Sequence, residues 1–465
     1  FFDVNTSTTA ETITNQNRIL WYPQKNAFMT GRLLVEGADS VGENSFASGF
    51  KSKAVGNYSQ ALGYQAIARG DYSTAIGKGA IANDTNSFAL GEMAFAKGVE
   101  SYALGREAKA TGIRSFAFGS AAPAGSHGGY NWDEAGAPEA SGDYSFAFGN
   151  GTKAQGKSSV AMGFESIASG YFATAMGSYT AASGNYSTAM GCRTVASGDY
   201  STAIGGSSVA SGPGSIAMGS ANVASGIESI AMGLQTTASG ENSIAMGCIT
   251  TASGNISTAM GLHTEANGDF STAMGRYIKV NGENSFGIGL SHLSSYEIHA
   301  PNTMAIMGGN VGIGTVSPDS GFVLHVNGAA LANAWNTPSD KRLKTNIKPL
   351  QGALQSVLKL QGVNFNWIDE TDHRPGQNIG FIAQDVKEIF PEIVSGGGKD
   401  KEDNEIYYSI EYATLTPVLV EAIKELNTEN KALNETNKKQ NETIKELEAR
   451  IEALEKLIQE KLKSN

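Results

Sequence analysis

The chain has few of the residues that build ordinary globular cores and reactive centres. Its 465 residues include two cysteines, 8% aromatic and 17% charged residues, against 57 glycines. Two cysteines give neither a disulfide framework nor a zinc signature, and no His/Cys/Asp cluster has metal-ligand spacing, so we predict no metal and no cofactor. No run of about 18 apolar residues predicts a membrane-spanning helix. The net charge of -11 leaves no broad basic surface for nucleic acid.

A motif of the form S-x-A-x-G recurs with a strict period of fourteen through much of the chain. It begins at Ser45 with SFASG, runs to SFAFG at 115, resumes at 145 and continues to SFGIG at 285, which makes seventeen copies. A second element, usually A-x-G, lies between copies, as in VASGDY and TASGEN. A fixed period of this kind indicates a stacked array of similar units.

A unit of this length suits two short strands joined by two glycine-assisted turns, so the repeat predicts a parallel β-roll. Alternation along a strand sends Ser, Ala and Gly of the motif to one face and the two x positions to the other. The second x is Met, Ile, Leu or Phe in every copy except Ser48, whereas the first x varies from Phe to Thr to Gln60. We therefore expect the second x to be the buried position.

Seventeen coils at about 4.8 Å per coil predict a rod roughly 80 Å long. Each coil carries little apolar surface, so we expect the rod to belong to a homotrimer. Cys192 and Cys248 both follow the glycine of their motif and lie four periods apart, about 19 Å along the rod, which excludes a disulfide between them. Two interpretations stay open: small residues in one tolerant column, or a bond between chains near the trimer axis.

One longer interval interrupts the repeat, because the motif serines Ser115 and Ser145 are more than two periods apart. The inserted segment 121–139 reads AAPAGSHGGYNWDEAGAPE, and loops inserted into a solenoid emerge on its surface. Exposed aromatic and carboxylate side chains suit contact with a ligand, whereas the alternative is a loop that packs its own Trp against the rod. The candidate ligand-binding residues are His127, Tyr130, Trp132, Asp133 and Glu134.

The alternating SxAxG and AxG elements resemble the head of YadA-type trimeric adhesins. The resemblance covers residues 43–292 and is specific because the period is kept so strictly. It implies a left-handed parallel β-roll that trimerises and binds extracellular matrix or cell surfaces. Residues 1–42 would then be an N-terminal cap or attachment segment.

The chain changes character after the repeat. Residues 293–335 alternate apolar and polar residues around turn signals, which predicts short strands forming a neck. Residues 336–420 have a globular composition, and the patterns NIGFIAQDVKEIF and EIYYSIEYATLTPVLVEAIKEL each predict a strand that leads into a helix. We expect a small α+β domain here.

The last segment, 421–465, carries a heptad repeat over six heptads when Ile423 is placed at position a. This regularity predicts a trimeric coiled coil. Polar layers at Asn430, Asn437 and Gln440 weaken the seam but can fix its register. The apolar trimerisation residues are Ile423, Leu426, Leu433, Ile444, Leu447, Ile451, Leu454 and Ile458.

The stretch TPSDKRLKTNI contains a serine and a lysine that could act as nucleophile and base. A lysine base must lose its proton near neutral pH, which requires burial or nearby positive charge. The spacing of five puts Ser339 and Lys344 on opposite sides of a strand and aligns them poorly on a helix, so a bent loop or a neighbouring subunit must bring them together. A solvated run of charges is the alternative interpretation.

Three ordered blocks, SDKRLKTNI, IGFIAQDVKEIFPEIV and YYSIEYATLTPVLVEAIKELN, resemble the intramolecular chaperone domain of endosialidase-type phage tailspikes. The resemblance covers about residues 336–430. It implies that the domain trimerises, assists folding of its β-rich partner and releases itself by cutting Pro338–Ser339. In that reading Ser339 is the nucleophile and Lys344 the general base, with Asp340 and Arg342 as orienting groups.

Together the two resemblances predict a homotrimeric extracellular fibre or adhesin whose head either binds a surface or serves as a spacer there. Its one catalytic activity would be a single-turnover self-cleavage. The expected partners are two further copies of the chain and a host-surface protein, matrix protein or glycan. Two alternatives stay open: a phage tail fibre or other virion appendage, in which residues 1–42 would dock to a baseplate, and a passive spacer without a receptor.

Overall fold

The computed structural model describes residues 2–4, 13–121, 136–291, 295–313, 315, 323–326, 338–368, 376–398 and 407–463. The chain divides into two compact units, Phe1–Gly309 and Asn310–Asn465. Unit 1 contains the repeats, and unit 2 contains the mixed region and the C-terminal helix.

Unit 1 is a β-roll in which each repeat forms one coil with two parallel strands. The strand after each motif serine, called the long-face strand, pairs with its equivalent in the next coil, so that Thr174 lies beside Thr188. The short-face strand of each coil stacks in the same way, with Ala181 beside Val195. The predicted mainly β roll, with one coil for each repeat, is therefore confirmed.

The strands of the roll have the following bounds. The long-face strands are Phe46–Phe50, Gln60–Tyr64, Thr74–Ile76, Phe88–Leu90, Tyr102–Leu104, Phe116–Phe118, Phe146–Asn150, Val160–Phe164, Thr174–Ser178, Thr188–Cys192, Thr202–Gly206, Ile216–Ser220, Ile230–Leu234 and Ile244–Cys248. The short-face strands are Lys53–Ala54, Ile67–Ala68, Ile81–Ala82, Phe95–Ala96, Lys109–Ala110, Glu139–Ala140, Lys153–Ala154, Ile167–Ala168, Ala181–Ala182, Val195–Ala196, Val209–Ala210, Val223–Ala224, Thr237–Ala238 and Thr251–Ala252.

The N-terminal end of the roll is formed by strands Phe2–Val4, Ile13–Tyr22 and Ala27–Val35. The second and third form an antiparallel hairpin, and the third stacks in parallel on the first coil. Larger apolar side chains fill the interior here, including Leu20 and Leu33.

At the other end, strands Thr258–Ala266 and Thr272–Val280 run through both faces, and Phe286–Gly289, Tyr296–Ile298 and Met304–Met307 stack on them. The sheet therefore continues past residue 292, where the sequence predicted a neck. The motif alanine is replaced by Gly287 in the last copy, and a Cβ there would press on Ile278, Val280 and Ile298. The glycine therefore leaves space for these three apolar side chains in the interior of the last coils.

The interior of the coils consists mainly of alanine, serine and threonine, with Asn222 as one larger exception. Ala61 and Ser59 are fully buried, as are their equivalents in nearly every coil. The second x of the motif lies outside instead, with Leu90 and Phe118 each 42% exposed. The prediction that the second x is buried is wrong for the single chain, because the two sheets lie too close together to enclose a larger side chain.

The motif glycines explain why the period is so strict. Gly177 has φ +131, and a Cβ on it would overlap the carbonyl oxygen of Gly191 in the next coil. A side chain at this position is therefore excluded both by backbone conformation and by the close approach of neighbouring coils.

The insertion leaves the stacking of the roll intact. Phe116 pairs with Phe146 across it, and Lys109 pairs with Glu139. The predicted ligand-binding residues of segment 121–139 lie outside the described residues. Both cysteines are free: Cys192 is exposed and Cys248 is half-buried, in the same outward column.

Unit 2 is a small α+β region that leads into a long helix, as predicted. Its strand pairs are Val311–Ile313 with Leu324–Val326, Val363–Phe365 with Asn378–Gly380, and Val394–Ser395 with Ser409–Ile410. Its helices are α1 (Ala353–Val357), α2 (Ala383–Ile389) and α3 (Leu415–Lys463). Its buried apolar core consists of Ala353, Leu354, Val386, Phe390, Ile393, Leu415, Val418 and Ala422.

Candidate active site

A short turn shapes the backbone around the predicted nucleophile. Residues Lys341–Leu343 form one turn of 3-10 helix, and Asp340 precedes it with an extended backbone. The Asp340 carboxylate accepts a hydrogen bond from the Arg342 backbone N–H at 2.8 Å, which is the usual role of aspartate at a helix N-cap. The sequence S-D-K-R-L-K thus folds into a bend, where a strand or a regular helix would have kept its ends apart.

The bend brings the predicted nucleophile and base into contact. Lys344 Nζ lies 2.6 Å from Ser339 Oγ, a hydrogen bond between the side chains. Lys344 is the C-cap of the turn, and its backbone N–H donates to the Lys341 carbonyl oxygen at 3.2 Å. One turn of 3-10 helix therefore joins two residues whose spacing alone did not predict contact.

Asp340 and Arg342 form a second pair on the same turn. The guanidinium donates from Nε and Nη2 to both carboxylate oxygens, with the shortest distance 2.6 Å. The side-chain hydrogen bonds from Arg342, together with its backbone N–H, hold the pKa of Asp340 below its ordinary value. The same pairing raises the pKa of Arg342. These two charges neutralise each other and leave Lys344 facing Ser339.

The site is open in the single chain, since all residues from 338 to 352 are exposed. In the observed contact the lysine is the donor to Oγ. A general base must instead accept a proton from the hydroxyl, which requires a neutral amine, and burial favours that state. The contact is thus made within one chain at an exposed position, which lacks the burial that a lysine base requires.

Two family models match the chain. A model described as chaperone of endosialidase matches residues 339–395, beginning at the serine of this pair. A model described as YadA head domain repeat matches nine segments between residues 40 and 277. The chain joins YadA head repeats to an endosialidase chaperone domain.

Curated relatives of the chain include long tail fibre proteins of bacteriophages. Gp37 of Enterobacteria phage K3 is 36% identical over 97 residues, which are 20% of this chain and 7% of that protein. Gp37 of Enterobacteria phage M1 is 30% identical over 123 residues, which are 24% of this chain and 48% of that protein. The chain therefore spans less than half the length of these relatives.

The chaperone domain holds its long helix by a contact that the sequence did not predict. The Glu425 carboxylate on α3 accepts hydrogen bonds from the backbone N–H groups of Ala353 at 3.2 Å and Leu354 at 2.8 Å, at the start of α1. The bond from Leu354 is the largest cause of the lowered pKa of Glu425. Burial, the second cause, acts in the opposite direction, and the weaker effects of the Ala353 and Gly352 N–H groups add to the lowering. Glu425 is 71 residues from Leu354 along the chain, so no local pattern could reveal this pairing.

Glu425 should make the stability of the chaperone domain depend on pH. A carboxylate with a lowered pKa contributes stability that is fully present above its unfolded pKa and is lost as the pH falls through the folded value. In thermal unfolding followed by circular dichroism, Glu425→Gln should lower the melting temperature most at pH 6 to 7. The difference from the wild type should shrink below about pH 4. A difference that stays constant across this range would contradict the assignment, and Glu429→Gln, one turn further along α3, is the matched control.

The predicted trimerisation residues of α3 are exposed to solvent in the single chain. The helix has 49 residues and begins at Leu415, inside the region predicted as the globular domain. Its exposed apolar residues include Ile423 (66%), Leu433 (57%) and Leu454 (57%). An isolated helix with this stripe has an unpartnered apolar face along its length.

The described residues show neither a metal cluster nor a membrane helix. Within them, no group of three His, Cys, Asp or Glu side chains is placed to hold a metal ion. No helix among them is long and apolar enough to cross a membrane.

Proposed function

We propose that this protein is a homotrimeric extracellular fibre or adhesin that is aligned by its chaperone domain and matured by self-cleavage at Pro338–Ser339. The contact of 2.6 Å between Lys344 Nζ and Ser339 Oγ is the observation that carries the cleavage. The head of YadA repeats would either bind a surface or serve as a spacer there. The activity is a single turnover in which the chain is its own substrate.

The cleavage can be written with the residues of the bend. The neutral Lys344 amine takes the proton of the Ser339 hydroxyl, and Oγ attacks the carbonyl carbon of Pro338. The C–N bond breaks, the Ser339 nitrogen takes a proton, and Pro338 is left as an ester on Oγ. Water then hydrolyses the ester, so that the net reaction consumes one water and gives a carboxylate on Pro338 and an amine on Ser339.

Two exposed apolar stripes support assembly into trimers. On the roll, the second x of the motif forms an outward column of Met, Ile, Leu and Phe along the long face. On α3, the a and d positions form the second stripe. Burial stabilises each such side chain by about 1.5 to 3 kcal/mol, so covering either stripe with further copies gives a large driving force. Trimer formation would also bury the bend around Ser339, which favours the neutral lysine.

A chaperone domain at the C-terminus would help the repetitive head to fold in the correct register. Coils of nearly identical sequence can pair with the wrong partner coil, because a slip of one coil changes little locally. Parallel β-structures also fold slowly and expose edges while they do so. A trimer formed first by α3 would set the register, and cleavage afterwards would make assembly irreversible.

Mass spectrometry of the purified full chain and of Ser339→Ala tests the cleavage. The wild type should give two fragments, residues 1–338 and 339–465, and the second should begin with Ser339. The variant should remain whole while its trimer mass is unchanged by light scattering. Intact wild-type chains in well-assembled trimers would refute self-cleavage. Ser356→Ala, on α1 and away from the bend, is the matched control.

A virion appendage is the second candidate, since the curated relatives are phage long tail fibre proteins. In that case antibodies against the roll should label phage particles in electron micrographs, and genes for other virion proteins should surround the coding sequence. Labelling of bacterial surfaces without phage particles would favour the adhesin. A spacer without a receptor predicts that the trimer binds no host surface.

A further inference from the structure

The short face of the roll lies on the opposite side from the column that the proposed trimer covers, so that trimer leaves it free. On this face one outward residue of each coil pairs with its equivalent in the next coil, and each is exposed or half-buried. This ladder, called the short-face column, consists of Lys109, Glu139, Lys153, Ile167, Ala181, Val195, Val209, Val223, Thr237, Thr251, Glu265, Lys279 and Glu297.

The charges of the short-face column have a symmetrical order. Its first three residues are positive, negative and positive, whereas its last three, Glu265, Lys279 and Glu297, are negative, positive and negative. The seven residues between these two blocks are uncharged, and Val209 is their middle. Packing does not exclude a charge at this position, since Lys53 occupies it in the first coil. A reversed copy of the column therefore places each charge opposite one of the other sign.

Contacts within one chain explain only part of this order. Lys279 Nζ lies 3.1 Å from Glu265 Oε1 in the preceding coil, so alternating signs within a block attract each other. The same attraction would be present if both blocks began with the same sign. The opposite order of the two blocks, at equal distances from Val209, therefore indicates a contact with a second copy of the column.

We infer that the short faces of two copies of this chain pack against each other, with the rods antiparallel and Val209 at the twofold axis. A twofold contact places a residue any number of coils before Val209 opposite the residue the same number of coils after it. The trimer uses the other face, so this contact joins one trimer to another, side by side. The facing pairs, in which the second residue belongs to the partner subunit, are Lys153 with Glu265, Glu139 with Lys279, and Lys109 with Glu297.

The charges specify one register of this contact. A slip of one coil in one direction places Lys153 opposite Lys279 of the partner subunit. A slip in the other direction places Glu139 opposite Glu265 of the partner subunit. Like charges that face each other disfavour association, whereas exposed ion pairs add little affinity by themselves. The two blocks thus set the direction and register of the contact.

The uncharged coils form the centre of the contact and supply its apolar surface. Val195 lies opposite Val223 of the partner subunit, and Val209 lies opposite its own equivalent. A contact about 60 Å long and 10 Å wide covers roughly 600 Å² of each chain, and roughly 1,200 Å² in total is the lower limit of standard specific interfaces. The second outward residue of these seven coils is small and exposed throughout, which lets the faces approach closely: Ser169, Ser183, Ser197, Ser211, Ser225, Ser239 and Ser253.

Sedimentation velocity of the full-length protein at increasing concentration tests this contact. Wild-type trimers should associate into pairs or larger assemblies, and high salt should weaken the association. Lys153→Glu gives each pair two contacts between like charges, so it should weaken association about tenfold or more. Glu265→Lys should have the same effect. An equal mixture of the two variants should associate as the wild type does, because opposite charges again face each other.

Lys97→Glu is the matched control for the change in charge. Lys97 is exposed on the same face, but it lies one coil before Lys109 and so outside the facing columns. This variant should associate as the wild type does. Each variant is the same chain alone and in the mixture, so recovery in the mixture cannot come from a change in its own fold.

Three results would overturn the inference: wild-type trimers that never associate, association that Lys153→Glu leaves unchanged, or a mixture of the two variants that stays separate. If wild-type trimers stay separate and Lys153→Glu instead reduces binding to host cells, the short face docks a host partner and this contact is rejected. Monomers that form dimers with the same charge dependence would reject the proposed trimer and leave this contact standing.

Discussion

Replacing Lys344 with Arg should leave the chain uncleaved, with a fall in the cleavage rate of about 10²- to 10⁴-fold. Arginine keeps the positive charge and can still donate a hydrogen bond to Ser339, but it does not lose its proton in proteins and so cannot act as a base. Cleavage is followed as the fraction of intact chain against time after refolding.

The matched control for this experiment is Lys341→Arg, on the same 3-10 turn. Lys341 is exposed and makes no side-chain contact with Ser339 among the described residues. This variant should be cleaved at the wild-type rate. Wild-type cleavage by Lys344→Arg would show that the lysine only orients Ser339 and that another group removes the proton.

The double substitution Ile444→Asp with Leu447→Asp should convert the trimer to monomers. Both residues lie on the predicted seam and are 51% and 50% exposed in the single chain. Because about half of each side chain is already covered, each is expected to gain about 0.8 to 1.5 kcal/mol from further burial, a gain made once per chain, and a buried unpaired aspartate costs further free energy. Sedimentation equilibrium should then give the mass of one chain, and the roll should fail to assemble.

Lys445→Asp with Ala449→Asp is the control for this change in charge. These residues occupy the outward b and f positions of the same heptad, so the trimer mass should not change. If the seam variant remained a trimer, assembly would depend on the roll alone, and α3 would have no part in alignment. If it were monomeric yet cleaved normally, burial of Ser339 by other chains would be unnecessary.

The sequence predicts the roll well because a strict period constrains every coil in the same way. It fails at the second x of the motif, because an apolar residue need not be buried within its own chain. The structure places mainly alanine, serine and threonine between the sheets of the coils, with Asn222 as an exception, and leaves residues such as Leu90 outside. Small residues at alternate positions are the better signal for the interior, since the narrow cross-section of most coils favours small side chains.

The bend around Ser339 was only partly predictable. The residue types and their order suggest a nucleophile and a base, but a spacing of five puts them on opposite sides of a strand and aligns them poorly on a helix. The N-cap role of Asp340 supplies the missing step, because aspartate before a short turn is a local signal that the sequence carries. The Glu425 contact with α1 has no such signal, since it depends on how α3 packs against a segment far away in sequence.

The interior of the roll has a consequence for how such a protein can change over generations. Neighbouring coils are joined through the same alanines, serines and glycines, and the sheet closes directly from Phe116 to Phe146 across the insertion. Deleting or duplicating one whole coil therefore leaves every remaining junction as it was. Unequal recombination between repeats of the gene can lengthen or shorten the rod in steps of about 4.8 Å. The length of the rod can therefore change from generation to generation without any change in the residues that its surface presents to a target.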